Sequence, residues 1–192
     1  LNIVDGTNLE RNLYLSTQLK ELGIPVVMAI NMMDVVEKNG DVLNLEELGK
    51  AMGCKVVSIS ALRNKGVAEA SALAVAEANG KNDTVVQHKF SEQVEGAINS
   101  IENLLEGNVP ESQKRFFAIK LFERDDKIRN EMPEKAKNLD VESIIAAVEK
   151  AEDDDSESII TNERYNYIQS IIDAAYVTVS YTHLTLPTNR EV

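Results

Sequence analysis

The run Ile24 to Ile30 (IPVVMAI) is apolar at all seven positions and is followed at once by the polar Asn31. Seven residues cannot cross a bilayer, and the β-branched content favours an extended strand. A strand that is apolar on both faces must be covered on both, as in a parallel sheet with helices above and below. The rest of the first ninety residues fits that demand. Leu1 to Val4 is a short apolar run that begins abruptly. It is followed by Leu9, Leu13, Leu15, Leu19 and Leu22, spaced as the apolar stripe of a helix, with Thr7 or Asn8 as its cap and Gly23 just past its end. Leu45 to Met52 reads as a short helix closed by Gly53, Lys55 to Ile59 as another strand, and Val67 to Ala78 as another helix. Strands alternating with helices in this way predict a mostly parallel α/β sheet.

Beyond residue 90 the strand signal stops. Helices are predicted over Ser91–Leu105, Glu111–Glu123 with an extension towards Asn130, Val141–Ala151 and Glu157–Tyr176, which together read as a small all-α domain. The charge balance breaks at the same place. Residues 1–90 hold nine Lys/Arg against eleven Asp/Glu, and residues 91–177 hold ten against twenty. So acidic a surface repels phosphate backbones, and no nucleic-acid partner is expected. The tail from Thr178 to Val192 is Thr-rich, contains Pro187 and lacks helical periodicity. It resembles a peptide that recurs at the ends of unrelated draft translations, and is expected to be extraneous or disordered, with Tyr181 and His183 given no role. The expected division is thus 1–80, 81–177 and 178–192.

Two short motifs follow the two apolar strands: Asn31-Met32-Met33-Asp34 after the first, and Ser60-Ala61-Leu62 after the second. Ligands of open parallel sheets gather at the carboxyl ends of strands, and in P-loop GTPases these two positions read the guanine base. Guanine offers two adjacent N–H donors on one edge, and a carboxylate such as Asp34 accepts both through charge-assisted bonds. Adenine would leave that charge unpaired. The Asn31 amide is expected to hold the loop and bond the other base edge. The Ala61 N–H is expected to donate to the guanine carbonyl oxygen, and the Met32 thioether to cover the base face in place of the more usual lysine stem.

The stretch Asp5-Gly6-Thr7-Asn8-Leu9-Glu10-Arg11-Asn12-Leu13-Tyr14-Leu15, then Leu22-Gly23-Ile24-Pro25-Val26-Val27 and Asn-Met-x-Asp, resembles the ferrous iron transport protein B family, whose pattern is D-A-T-N-L-E-R-N-L-Y-L, L-G-x-P-V-V and N-M-x-D. Gly53-Cys54 and Arg164-Tyr165 are also similar to that family's habits. The resemblance implies a GTP/GDP-binding domain followed by a helical, release-modulating domain, on the cytoplasmic face of a bacterial inner membrane. The transmembrane domain of the parent transporter is then a partner, and a homo-oligomer is possible. No G-x-x-x-x-G-K-[ST] sequence occurs in the chain. Together with the lack of the segments that hold Mg²⁺ and sense the γ-phosphate, this suggests a piece truncated at both ends, with neither turnover nor tight GTP binding. A soluble GTPase of the same superfamily, or a helical interaction module, are the competing readings.

The remaining chemistry-bearing residues carry weaker signals. Cys54, the single cysteine, rules out an internal disulfide and reads as an inert thiol. Asp153-Asp154-Asp155 lacks the spacing of a calcium loop and reads as a solvated run or a charge cluster at a helix start. His88 reads as a surface residue of a polar connector, Asn82-Asp83-Thr84 as a sequon without consequence, and no metal site is expected. Phe116, Phe117, Ile119, Leu121 and Phe122 are dense enough to be the helical core or its contact with the first domain.

Overall fold

In the computed structural model, which describes residues 1–80 and 88–177, the apolar run enters the sheet late. Ile24 to Val26 stay outside it, Pro25 having no amide hydrogen to give to a ladder. Strand β1 spans Asn2–Asp5 and β2 spans Val27–Asn31, with the first four residues of β2 buried. A two-residue β3 (Val42–Leu43) lies outside this sheet, and β4 (Lys55–Ser58) completes it. The order is β1-β2-β4, all parallel, with Asp5 opposite Asn31 and Ile30 opposite Ser58.

Helices cover both faces of β2. On one side Met28 and Ile30 meet Leu9 and Leu13 of α1 (Leu9–Glu21) and Leu48 and Met52 of α3 (Leu45–Met52). On the other, Ala29 meets Ala70 of α4 (Val67–Asn79) and Ile59. The predicted stripe of α1 is narrower than its leucines suggest, for Leu15 is 54% exposed. Its entry is also capped differently. Asp5 accepts from Thr7 N at 2.9 Å and starts a 3-10 turn, Gly6–Asn8, while Asn8 makes no side-chain cap. The short α2 (Met33–Lys38) links β2 to β3.

The second half is helical, as its periodicity predicts. It comprises α5 (Glu92–Leu104), α6 (Lys114–Phe122), α7 (Asp126–Glu131), α8 (Glu134–Lys137), α9 (Glu142–Glu152) and α10 (Ser156–Ala175). The single helix expected over 111–130 is broken at Arg124, whose φ of 54° is left-handed. Its guanidinium reaches Glu142 and Glu149, tying α6 to α9. Ile119, Leu121 and Phe122 enter this core with Val94, Ile98 and Ile101, whereas Phe117 is only partly buried against it. Asp155 caps α10 by accepting from Ser158 N at 3.0 Å, which places the acidic run at a helix start, one of its two expected readings.

Helix α10 joins the two halves. Ile159 and Ile160 belong to the helical core, and Ile168, Ile171 and Ala175 to the core beneath the sheet. It ends in β5 (Tyr176–Val177), which pairs antiparallel with β3. This pair of two-residue strands carries too few positions to leave a periodic signal.

At the centre of the junction Arg164 is fully buried. Its fork holds Glu21 through Nε–Oε1 at 2.9 Å and Nη2–Oε2 at 2.7 Å, and its third nitrogen reaches Glu123. His88 is not on the surface as expected: it is 4% exposed, stacked 4.2 Å from Tyr167, with Nδ1 3.9 Å from Glu21. Flanking aromatics pull the imidazole in, a contact between distant segments that local polarity does not reveal. Among the described residues no helix is long and apolar enough to cross a membrane, and no cluster of side chains could hold a metal ion. The tail and the sequon lie outside the described residues.

Candidate nucleotide-base site

Two loops leave the same end of neighbouring parallel strands. Strand β2 finishes at Asn31, and Met32 then turns left-handed (φ 63°) to start α2. The Met32 carbonyl receives Val35 N at 2.9 Å and Val36 N at 3.2 Å, so Asp34 sits in the first helical turn. A left-handed non-glycine residue carries local strain and is held by its surroundings. Strand β4 runs on to Ile59, whose N–H donates to Ile30 O at 2.7 Å. Ser60 then pairs both ways with Lys65, N to O at 3.0 Å in each direction, closing a loop around the 3-10 turn Ala61–Arg63.

One side chain spans the loops: Asn31 Oδ1 accepts the Ala61 N–H at 3.1 Å. The expected loop-holding contact of Asn31 is therefore made. The amide expected to face a base carbonyl is already donated to Asn31, so the base would have to share or displace that bond.

Asp34 and Ser60 line one cavity of about 120 Å³ with Met33, Glu37, Ser58, Ile59, Arg63 and Lys65. Asn31, Met32, Ala61 and Leu62 stand outside that lining; Met32 is 43% exposed and Leu62 is 96% exposed. The cavity is polar, with two carboxylates and two cations in its lining. Arg63 Nη2 lies 3.3 Å from Asp34 Oδ2. Sequence reasoning passed over Arg63, Lys65 and Glu37 because charged residues in exposed loops have no periodic or motif signal. Only their place beside Asp34 in the cavity lining marks them. Away from the site, burial pushes the Cys54 thiol up to about 11, in keeping with an inert residue.

Residues 1–74 match the family described as ferrous iron transport protein B, and residues 90–177 match the FeoB cytosolic helical domain. The GDP-bound G domain of FeoB from S. thermophilus, an alanine-to-serine variant, superposes with a TM-score of 0.83 at 38% identity, over 91% of this chain and 67% of that one. The chain belongs to the FeoB family. The mGMPPNP-bound NFeoB of S. thermophilus is similarly related, with 40% identity and a TM-score of 0.81 over 91% of this chain and 66% of that one. Among full-length relatives, the Fe(2+) transporter FeoB of Salmonella typhimurium is 34% identical and that of Escherichia coli 31%, each over 180 residues. These matches take in 94% of this chain and 23% of each transporter, so the chain spans about a quarter of the FeoB proteins it resembles. The fold is that of an FeoB G domain followed by its helical domain.

Proposed function

We propose that this chain is the base-reading part of the GTP-binding region of a ferrous iron transporter, with residues 1–80 supplying the nucleotide side and 81–177 a helical domain docked on it. The observation that carries the reading is the meeting of Asp34 and the Ser60 turn in one cavity, across neighbouring strands tied by Asn31 and Ala61. The S. thermophilus relatives bound to GDP and mGMPPNP support it.

The residues present fit a guanine. Asp34 accepts the ring N–H and the exocyclic amino group together, each charge-assisted bond being worth about 1.5–3 kcal/mol. Asn31 steadies the second loop with its oxygen and offers Nδ2 to the far edge of the base. The Ala61 N–H is shared between Asn31 Oδ1 and the base carbonyl, and Met32 and Leu62, both exposed outside the cavity lining, close over the two ring faces. The phosphates and Mg²⁺ supply the charge that phosphoryl transfer works upon, and no residue of this chain is assigned a step in it. Iron passage and membrane attachment at a cytoplasmic face belong to the larger transporter this reading implies.

Asp34→Asn tests the reading. An amide donates where the carboxylate accepted, so guanine loses a partner while xanthine, with a carbonyl in place of the amino group, gains one. Titration with guanosine and xanthosine, followed by amide shifts at Asn31 and Ala61, is expected to show guanosine weakened about tenfold or more and the preference reversed. Unchanged guanine preference in the variant defeats the assignment of Asp34.

A further inference from the structure

The carboxylate that reads the base, on the reading above, already has a partner. Arg63 Nη2 lies 3.3 Å from Asp34 Oδ2, and both side chains line the cavity. A guanine that uses both carboxylate oxygens needs the one that Arg63 holds. The Arg63 side chain is 68% exposed and Asp34 28% exposed, so the pair is open to water and costs little to separate. Arg63 needs only its own side-chain torsions to leave Asp34, for the loop that carries it is held. Arg63 ends the 3-10 turn, and left-handed Asn64 (φ 52°) and Gly66 (φ 73°) follow, while the Ser60–Lys65 pairing fixes the base of the loop. The arginine can therefore swing away without moving Ser60 or the Asn31–Ala61 tie.

We infer that Arg63 is a gate on base recognition: it pairs with Asp34, competes with guanine for the carboxylate, and so sets the affinity and exchange of the base. The competition is specific, because adenine makes no call on Asp34. It is also ionic, so salt weakens the gate while leaving a neutral nucleoside untouched.

The test uses guanosine, which carries no phosphate for Arg63 to attract, and the 192-residue chain. Arg63→Ala is expected to tighten guanosine about two- to fivefold at low salt, the range of an exposed ion pair. Adenosine binding does not change. Raising the salt to about 1 M, where charges are screened beyond roughly 3 Å, brings the wild type towards the variant and leaves the variant where it was. Arg63→Lys restores the low-salt penalty and the salt dependence. Guanosine binding that is weaker or unaltered in Arg63→Ala overturns the gate. If guanosine is still preferred through Asp34 in that case, the gate alone falls. If the wild type binds guanosine and adenosine alike, the base reading falls and takes the gate with it.

Discussion

Gly66 shows how narrowly one position is held at the site. Its φ is 73°, and a Cβ there would come within 2.4 Å of the Ser58 carbonyl oxygen, on backbone that has no flexible end to move. The left-handed conformation alone costs an L-residue about 1–2 kcal/mol, and the contact adds to it. Gly66→Ala is expected to destabilise the chain by about 2–3 kcal/mol, read as a lower urea midpoint, with the Ser60–Lys65 loop displaced in amide shifts. A neutral substitution would mean the loop is free to rearrange. Gly6 is a milder case: its Cβ would lie 3.0 Å from Asn31 O, so the alanine common at this place in the family needs a small shift of the loop that bears the motif. These constraints were invisible in the sequence. Asn31, Asp34 and Ser60 were legible because they follow apolar strands; Arg63 was not, because nothing in its neighbours says which way its side chain runs.

Among the elements, α3 rests on local chemistry. Asn44 accepts from Glu46 N and Glu47 N, both at 3.1 Å, and Gly53 closes the other end in the left-handed conformation. The helix turns Leu48 and Met52 under the sheet, at the face where β2 brings Met28 and Ile30. Asn44→Ala is expected to cost about 1 kcal/mol, with the loss measured in urea and Asn44→Asp retaining most of the stability. A cost near zero would show that packing, and not the cap, holds α3. Stops and starts of this kind were readable, and α5, α9 and α10 fell within one residue of their predicted limits, whereas the one-turn α8 was not foreseen. The break at Arg124 was not, since it answers to Glu142 and Glu149 on another helix.

For the whole molecule, the junction around Arg164 decides how the halves hold together. Burial opposes the charged form of Glu21, yet its carboxyl is held below the usual glutamate range. The Arg164 fork does this, His88 Nδ1 at 3.9 Å being too far for a hydrogen bond. A carboxyl whose native pKa is depressed adds stability above its unfolded value, about 4.3. That stability is lost as pH falls through the lower native value. Acid unfolding is therefore expected to steepen below about pH 4.3, and Glu21→Gln to flatten that part of the profile. An unchanged profile would remove Glu21 from the clamp. At neutral pH, where Glu21 is charged, removing the arginine is the harsher change. Arg164→Ala strands the buried Glu21 carboxylate, while Glu123 keeps Lys120 Nζ at 2.8 Å, and is expected to cost about 3–5 kcal/mol, seen by calorimetry as a lower Tm. Because α10 feeds both cores, that loss is expected in one transition and not two.

By itself the sequence determined the parallel sheet, the helical second half, the motifs at the strand ends and the family resemblance. Each is written in residues close together along the chain, through apolar runs, caps and turn residues. Tertiary structure alone decided that Asp34 and Ser60 share a cavity, that Arg63 pairs with the carboxylate, that His88 is buried and that α10 belongs to both cores. Those outcomes come from contacts between residues far apart along the chain, such as Glu21 and Arg164, which are separated by 143 positions. Side-chain charge and packing are settled there by whatever the fold sets opposite.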